Sequence, residues 1–217
     1  MKKVILILLF AFTFLSGSAQ SVVVRFTTNM GNIDVMLYDE TPKHRDMFVK
    51  AIKKGWYKDA QFNRVIANFV SQGGELDDTI LNREKRHPEL GVKRFPAEIN
   101  PAVFHKKGAL GAGRDDNPEK ASYFTQIYFV VGKKRTDADL DALEKKRNRK
   151  IPEQQREVYK TIGGTPHLDG DYTVFGEIVA GMEVADAINS VATDKNDVPL
   201  QRVNFNISIL KKEHYKR

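Results

Sequence analysis

Two β-rich runs, Val22 to Thr28 and Asn32 to Tyr38, flank Asn29-Met30-Gly31, where glycine supplies a positive φ, and together they predict an opening hairpin. Thr41-Pro42 then reads as an N-cap followed by proline at the first helical position. Met47, Phe48, Ala51 and Ile52 recur at helical spacing up to Gly55, so the pattern predicts an amphipathic helix of about three turns. Gln61 to Ile66 and Phe69 to Gln72 read as adjacent antiparallel strands joined tightly at Ala67-Asn68. Strict alternation would put Phe62, Arg64 and Ile66 on one face, and Val70 and Gln72 on one face of the next strand. A guanidinium, a carboxamide and apolar side chains would then meet on one patch. Asp77 to Asn100 is polar, and no usable periodicity is read in it.

The string from Phe62 to Gly74 resembles the signature of the cyclophilins, the cyclosporin-binding class of peptidyl-prolyl cis-trans isomerase: Phe-x-Arg-Val-Ile-x-x-Phe-x-x-Gln-Gly-Gly. Later runs fit the same resemblance. Phe95-Pro96-Ala97-Glu98-Ile99 is similar to the family segment that carries a glutamate, read here as structural. Gly108 to Arg114 lacks the G-x-G-x-x-G order of a dinucleotide site and is closer to the family's Gly-x-Leu-Ser-Met-Ala strand, with Gly111 and Gly113 replacing larger types. Phe124 to Val131, rich in β-branched and aromatic residues, resembles the Ser-Gln-Phe-Phe-Ile strand. Leu168 to Val179 resembles Leu-Asp-Gly-x-x-x-Val-Phe-Gly-x-Val. Gly181 to Ile188 reads as a second helix and Val203 to Leu210 as a closing strand.

Between these motifs the pattern changes. Thr136 with Asp139 suggests a capped helix start, with Leu140 and Leu143 on one face, before the basic run Lys145 to Lys150. A second helix is expected from Pro152, with Val158 and Ile162 inward and Gly163-Gly164 ending it. Residues 133–164 are therefore read as a helical hairpin inserted between strands, where vertebrate-type cyclophilins have a short connection. The resemblance covers about 22–132 and 165–210. It implies a mainly β fold, a closed eight-stranded antiparallel barrel with a helix over each end, in one domain over 22–210.

The chain's start changes the picture of where this domain works. Lys2 and Lys3 precede the uncharged apolar run Val4 to Leu15, followed by Ser16-Gly17-Ser18-Ala19, the three-part layout of a secretory signal peptide spanning 1–19. This run of twelve residues covers only about 18 Å as a helix, against roughly 30 Å of hydrocarbon, which argues against a retained membrane anchor, and no membrane span is expected after cleavage. An exported protein is expected, periplasmic or secreted. With no cysteine it has no disulfide, thiol nucleophile or thiolate metal site. The formal net charge is +7, and residues 133–163 hold ten basic against six acidic residues; residues 211–217 form a basic tail. So localised an excess, without a reading motif, gives no ground for nucleic acid.

The resemblance implies that Arg64 and Gln72 are the catalytic pair, acting on proline-containing unfolded or folding polypeptides without cofactor or metal. It implies an apolar hollow for the proline ring from Phe69, Val70, Tyr128 and Leu168, and a groove for preceding residues beside Gln126, Gly113 and Arg114. Four departures from the family pattern stand out. Val70 replaces methionine, and Tyr128 replaces phenylalanine, bringing a hydroxyl that needs a partner if buried. His167 stands where tryptophan or phenylalanine is found, and Tyr172 where histidine is usual. Because the tryptophan position is associated with cyclosporin contact, weak binding of that drug is expected. The five histidines are scattered without zinc spacing and are read as surface or packing residues. Asp77-Asp78 and Asp115-Asp116, adjacent on loops, do not suit hydrolysis. The rival reading is a proline-peptide-binding or holdase module without turnover, with the inserted hairpin as a client surface.

Overall fold

The computed structural model describes residues 22–210. The predicted leader and basic tail lie outside the described residues. Eight strands close into an antiparallel barrel in the order β1-β2-β7-β5-β6-β4-β3-β8: β1 (Val22–Thr28), β2 (Gly31–Leu37), β3 (Ala60–Ile66), β4 (Val70–Gly74), β5 (Ala109–Ala112), β6 (Gln126–Val130), β7 (Val174–Ala180) and β8 (Val203–Ile209). Closure leaves no unpaired edge. Inward side chains fill it, among them Phe26, Phe62, Phe129 and Phe205, with Phe62 and Phe205 ring centroids 4.8 Å apart. Phe48 and Ala51 of α1 (Pro42–Lys53) and Ala185 and Ile188 of α5 (Met182–Asn189) join the same core, so each helix covers part of it.

The helix after Thr41 forms as expected, but its cap is not Thr41. That hydroxyl donates to the Val174 carbonyl at 3.2 Å and makes no cap bond. Glu98 supplies the cap instead, accepting the Lys43 and His44 backbone N–H groups at 3.0 and 2.6 Å and the His44 ring Nδ1–H at 2.7 Å. A carboxylate at a helix N-terminus satisfies orphan donors and opposes the helix dipole favourably. This gives the structural role read for Glu98 its physical content.

Three local readings are corrected. The polar segment after Glu75 contains a helix, α2 (Asp77–Arg86). Only Ile80 of it is buried, which explains the missing periodicity; its signal is charge, with Asp77 and Asp78 in the first turn and Arg83, Lys85 and Arg86 in the last. Phe69 belongs to the turn before β4, where Asn68 takes a positive φ of 59°. Phe62 does not share a face with Arg64: the β3–β4 register shifts between them, sending Phe62 into the core and Arg64 out.

The insertion folds as two helices, α3 (Asp137–Arg147) and α4 (Glu153–Thr161). Thr136 and Asp139 form a reciprocal capping box. Leu140, Ile151 and Tyr159 make a small separate core, with Leu143 packed on it. Tyr159, not Ile162, is the inward residue of α4; Ile162 lies just beyond the helix and is 52% exposed. Glu144 knits the pair together, accepting from Lys150 at 2.7 Å, from the Ile151 backbone N–H at 2.9 Å and from Arg156 at 3.2 Å. The insertion rejoins the barrel at Gly164, which bridges both Lys106 and Lys133. A Cβ there would stand 2.3 Å from the His105 carbonyl oxygen, and its φ is +145°, so only glycine fits this stem.

Candidate active site on the barrel wall

Neighbouring strands place one row of residues across the outer wall. Arg64 of β3 pairs with Gln72 of β4, Gln72 with Tyr128 of β6, and Tyr128 with Gly111 of β5. Residues directly opposite share a face, so the register assembles guanidinium, carboxamide and phenol from three strands. The bulge before Arg64 is what brings β3 into this row.

Arg64 is largely free. Its side chain is 43% exposed and, among the described residues, its one ion pair is a long contact of 3.5 Å to Asp197. Beside it the outer wall carries a second apolar cluster: Val70, Ala109, Tyr128, Val130 and Val174, with Phe69, Leu168 and Tyr172 packed against them. His167 stacks on Phe69, centroids 5.3 Å apart and planes 24° from parallel. Burial, and then the charge of Arg135, hold the His167 imidazole below the usual histidine range.

The residues expected to form the proline hollow, Phe69, Val70, Tyr128 and Leu168, therefore lie together, with His167 and Tyr172 beside them. Gln126, Gly113 and Arg114 behave differently. Gln126 is only 3% exposed. Its amide donates to the Glu75 carbonyl at 3.1 Å and to the Asp77 carboxylate. A Cβ on Gly113 would lie 2.0 Å from the Gln126 side-chain oxygen, so this glycine makes room for Gln126. Arg114 donates to the carbonyls of Asp171 and Asp115 at 2.7 and 2.6 Å and lies 4.6 Å over the Tyr172 ring. Its guanidinium is a strut for two loops. A cavity of about 590 Å³ opens next to Gln126, between α2 and Tyr123 to Thr125, with Ile80 and Leu90 in its lining.

The buried Tyr128 hydroxyl has the partner its burial demands: His105 Nε2, at 2.8 Å. Burial raises this phenol well above its usual range, so it is a neutral O–H. His105 is only 1% exposed and belongs to the site's supporting structure, so of the two roles read for the histidines, surface or packing, it takes the second. The signal available was the phenol itself, which required an acceptor nearby.

Comparison with known proteins agrees with this architecture. Residues 23–208 match the family model described as "Cyclophilin type peptidyl-prolyl cis-trans isomerase/CLD". The chain is 28% identical over 183 residues to a Rhizopus delemar protein named peptidyl-prolyl cis-trans isomerase-like 2, covering 83% of this chain and 27% of that much longer protein. It is 29% identical over 179 residues to a putative peptidyl-prolyl cis-trans isomerase of Staphylococcus saprophyticus, covering 82% of this chain and 86% of the relative. Among solved structures, a Cryptosporidium parvum cyclophilin superposes with a TM-score of 0.63 at 20% identity, over 89% of this chain and 99% of that one, a likeness of fold. With its barrel and the match over nearly the whole described region, the chain belongs to the cyclophilin-type peptidyl-prolyl cis-trans isomerases.

Proposed function

We propose that this wall turns over X-Pro bonds of polypeptides that fold after export, with Arg64 as the residue that touches the reacting amide. Amide resonance sets a rotation barrier of about 18–20 kcal/mol, and exchange without a catalyst takes tens to hundreds of seconds. No bond has to form or break. Binding the twisted amide about 7 kcal/mol better than the planar forms accelerates exchange about 10⁵-fold. In the twisted amide the nitrogen recovers its lone pair. Arg64, always charged and with a fork of donors, gives it a hydrogen bond. Gln72, opposite Arg64 in the ladder, holds the neighbouring backbone. The cluster of Phe69, Val70, Tyr128 and Leu168 takes the proline ring.

The observation that carries this reading is the exposed, loosely tethered Arg64 standing in one row with Gln72 and Tyr128 beside an apolar patch. The export half rests on the leader-like residues 1–19; cell fractionation tests it, with the mature chain expected in the envelope or medium, and a full-length cytoplasmic product opposing it. His167 in place of an indole predicts weak inhibition by cyclosporin. Nanomolar inhibition of turnover would contradict that.

A further inference from the structure

A continuous hydrogen-bonded path, buried at its tyrosine and histidine members and partly buried at Asp169, runs from the inserted helices to the proline patch. The Tyr159 hydroxyl of α4 donates to Asp169 Oδ2 at 2.5 Å. The other carboxylate oxygen accepts twice from His105, from its backbone N–H at 2.9 Å and its ring Nδ1–H at 2.7 Å. His105 Nε2 then faces the Tyr128 hydroxyl at 2.8 Å, and the two rings lie nearly parallel, 9° apart. Tyr159 and His105 are at most 1% exposed, and Tyr128 is 4% exposed.

The proton order follows from donor chemistry. A carboxylate only accepts, so Nδ1 of His105 carries a proton, and in the neutral ring the Nε2 lone pair is the acceptor. With that tautomer Tyr128 donates its single hydroxyl proton to His105. That fixes the direction of the phenol, and its ring lies flat over Gly111, where a Cβ would stand 2.2 Å from Cζ. The insertion also holds the segment beside the patch: Arg149 donates to the Asp169 carbonyl, and Arg147 donates to the His167 carbonyl at 3.0 Å. The segment carrying His167 and Leu168 is thus tied to the loop between α3 and α4 and to the last turn of α3.

We infer that the inserted helical pair is a brace for the proline patch, acting through Tyr159, Asp169 and His105 on the Tyr128 hydroxyl, so that His105 and Tyr159 are positioning residues. The inference rests on the isomerase reading of the same patch. It explains why an insertion distant in sequence from the signature motif buries a tyrosine hydroxyl on the Asp169 carboxylate, and why the phenol at 128 and the glycine at 111 occur together. The interaction requires neither contact between the insertion and substrate nor movement of the helices.

The test uses the chain lacking residues 1–19, as wild type, Tyr159→Phe, His105→Gln, Tyr128→Phe and the Tyr128→Phe/Tyr159→Phe double variant. Steady-state constants for an Ala-Pro peptide, its dissociation constant by NMR titration, and the ¹⁵N shifts of the His105 ring are read together. Tyr159→Phe should weaken peptide binding and raise KM by about two- to tenfold, the range expected for one hydrogen bond, with little change in kcat. It should also move the His105 ring signals, and it should add nothing further in the Tyr128→Phe background. Unchanged KM, peptide affinity and His105 shifts in a folded Tyr159→Phe protein would overturn the brace, as would independent, multiplying effects in the double variant. A wild-type protein without turnover would instead overturn the isomerase reading, while the titration and ring shifts would still decide the brace.

Discussion

Gly111→Ala is the most informative packing change in this site. The added Cβ would lie 2.2 Å from Tyr128 Cζ and 2.5 Å from its hydroxyl oxygen. The ring has little room to yield, since it is 4% exposed, hydrogen bonded to His105 and met edge-on by Tyr172 at 6.1 Å. Overpacking of this kind costs about 1–3 kcal/mol, and loss of the phenol–imidazole bond adds about 0.5–1.5 kcal/mol. For a domain of this size each kcal/mol corresponds to about 2–4 °C in Tm. Thermal unfolding followed by circular dichroism should therefore show a drop of at least about 3 °C, with a raised KM for an Ala-Pro peptide. A folded Gly111→Ala protein with the Tm and KM of the wild type would refute the claim that Tyr128 lies locked over this glycine.

Two further changes test other joints of the structure. Glu98→Ala removes the acceptor of three N–H groups at the start of α1 and leaves the fully buried His44 ring without that partner. Charge-assisted bonds contribute about 1.5–3 kcal/mol each, so a clear fall in Tm is expected with Arg64 chemistry intact; an unchanged Tm would show that Thr41 suffices as the cap. Hydrogen bonds from Lys150 and the Ile151 amide hold the Glu144 carboxyl at about 2, below its unfolded value. Its support of the α3–α4 pair is therefore complete above about pH 4.5 and lost as pH falls through about 2. Amide exchange at Ile151 should accelerate over that window, and a flat profile would contradict the assignment.

Much of the site was legible because its signature residues sit on strands whose alternation and spacing are local properties. Alternation put Arg64 on one face of its strand and Val70 and Gln72 on one face of the next, while Tyr128 was brought beside them only by what the family resemblance implies. Phe62 could not be placed this way, because a bulge changes side-chain phase without leaving a compositional mark. The α2 helix was hidden for a related reason: with one buried residue it has no apolar stripe, and its order shows only in the sign of its end charges. The occupation of Gln126 by Glu75 and Asp77, and the path from Tyr159 to Tyr128, join residues 49 to 51 and 31 positions apart through strand pairing and the insertion's return. Such contacts are properties of the closed barrel, not of any window of sequence.

The central claim is that Arg64 stabilises the twisted amide, and the most direct measurement is the cis-to-trans rate of an Ala-Pro peptide with wild-type protein and Arg64→Ala, both lacking residues 1–19. Since Arg64 is 43% exposed and only loosely paired with Asp197, the variant should fold with nearly the wild-type Tm. Removing a donor used in the transition state lowers turnover by about 10²–10³-fold, and that loss, against fast exchange by the wild type, is the predicted result. A folded Arg64→Ala protein that accelerates exchange as well as the wild type would contradict the account.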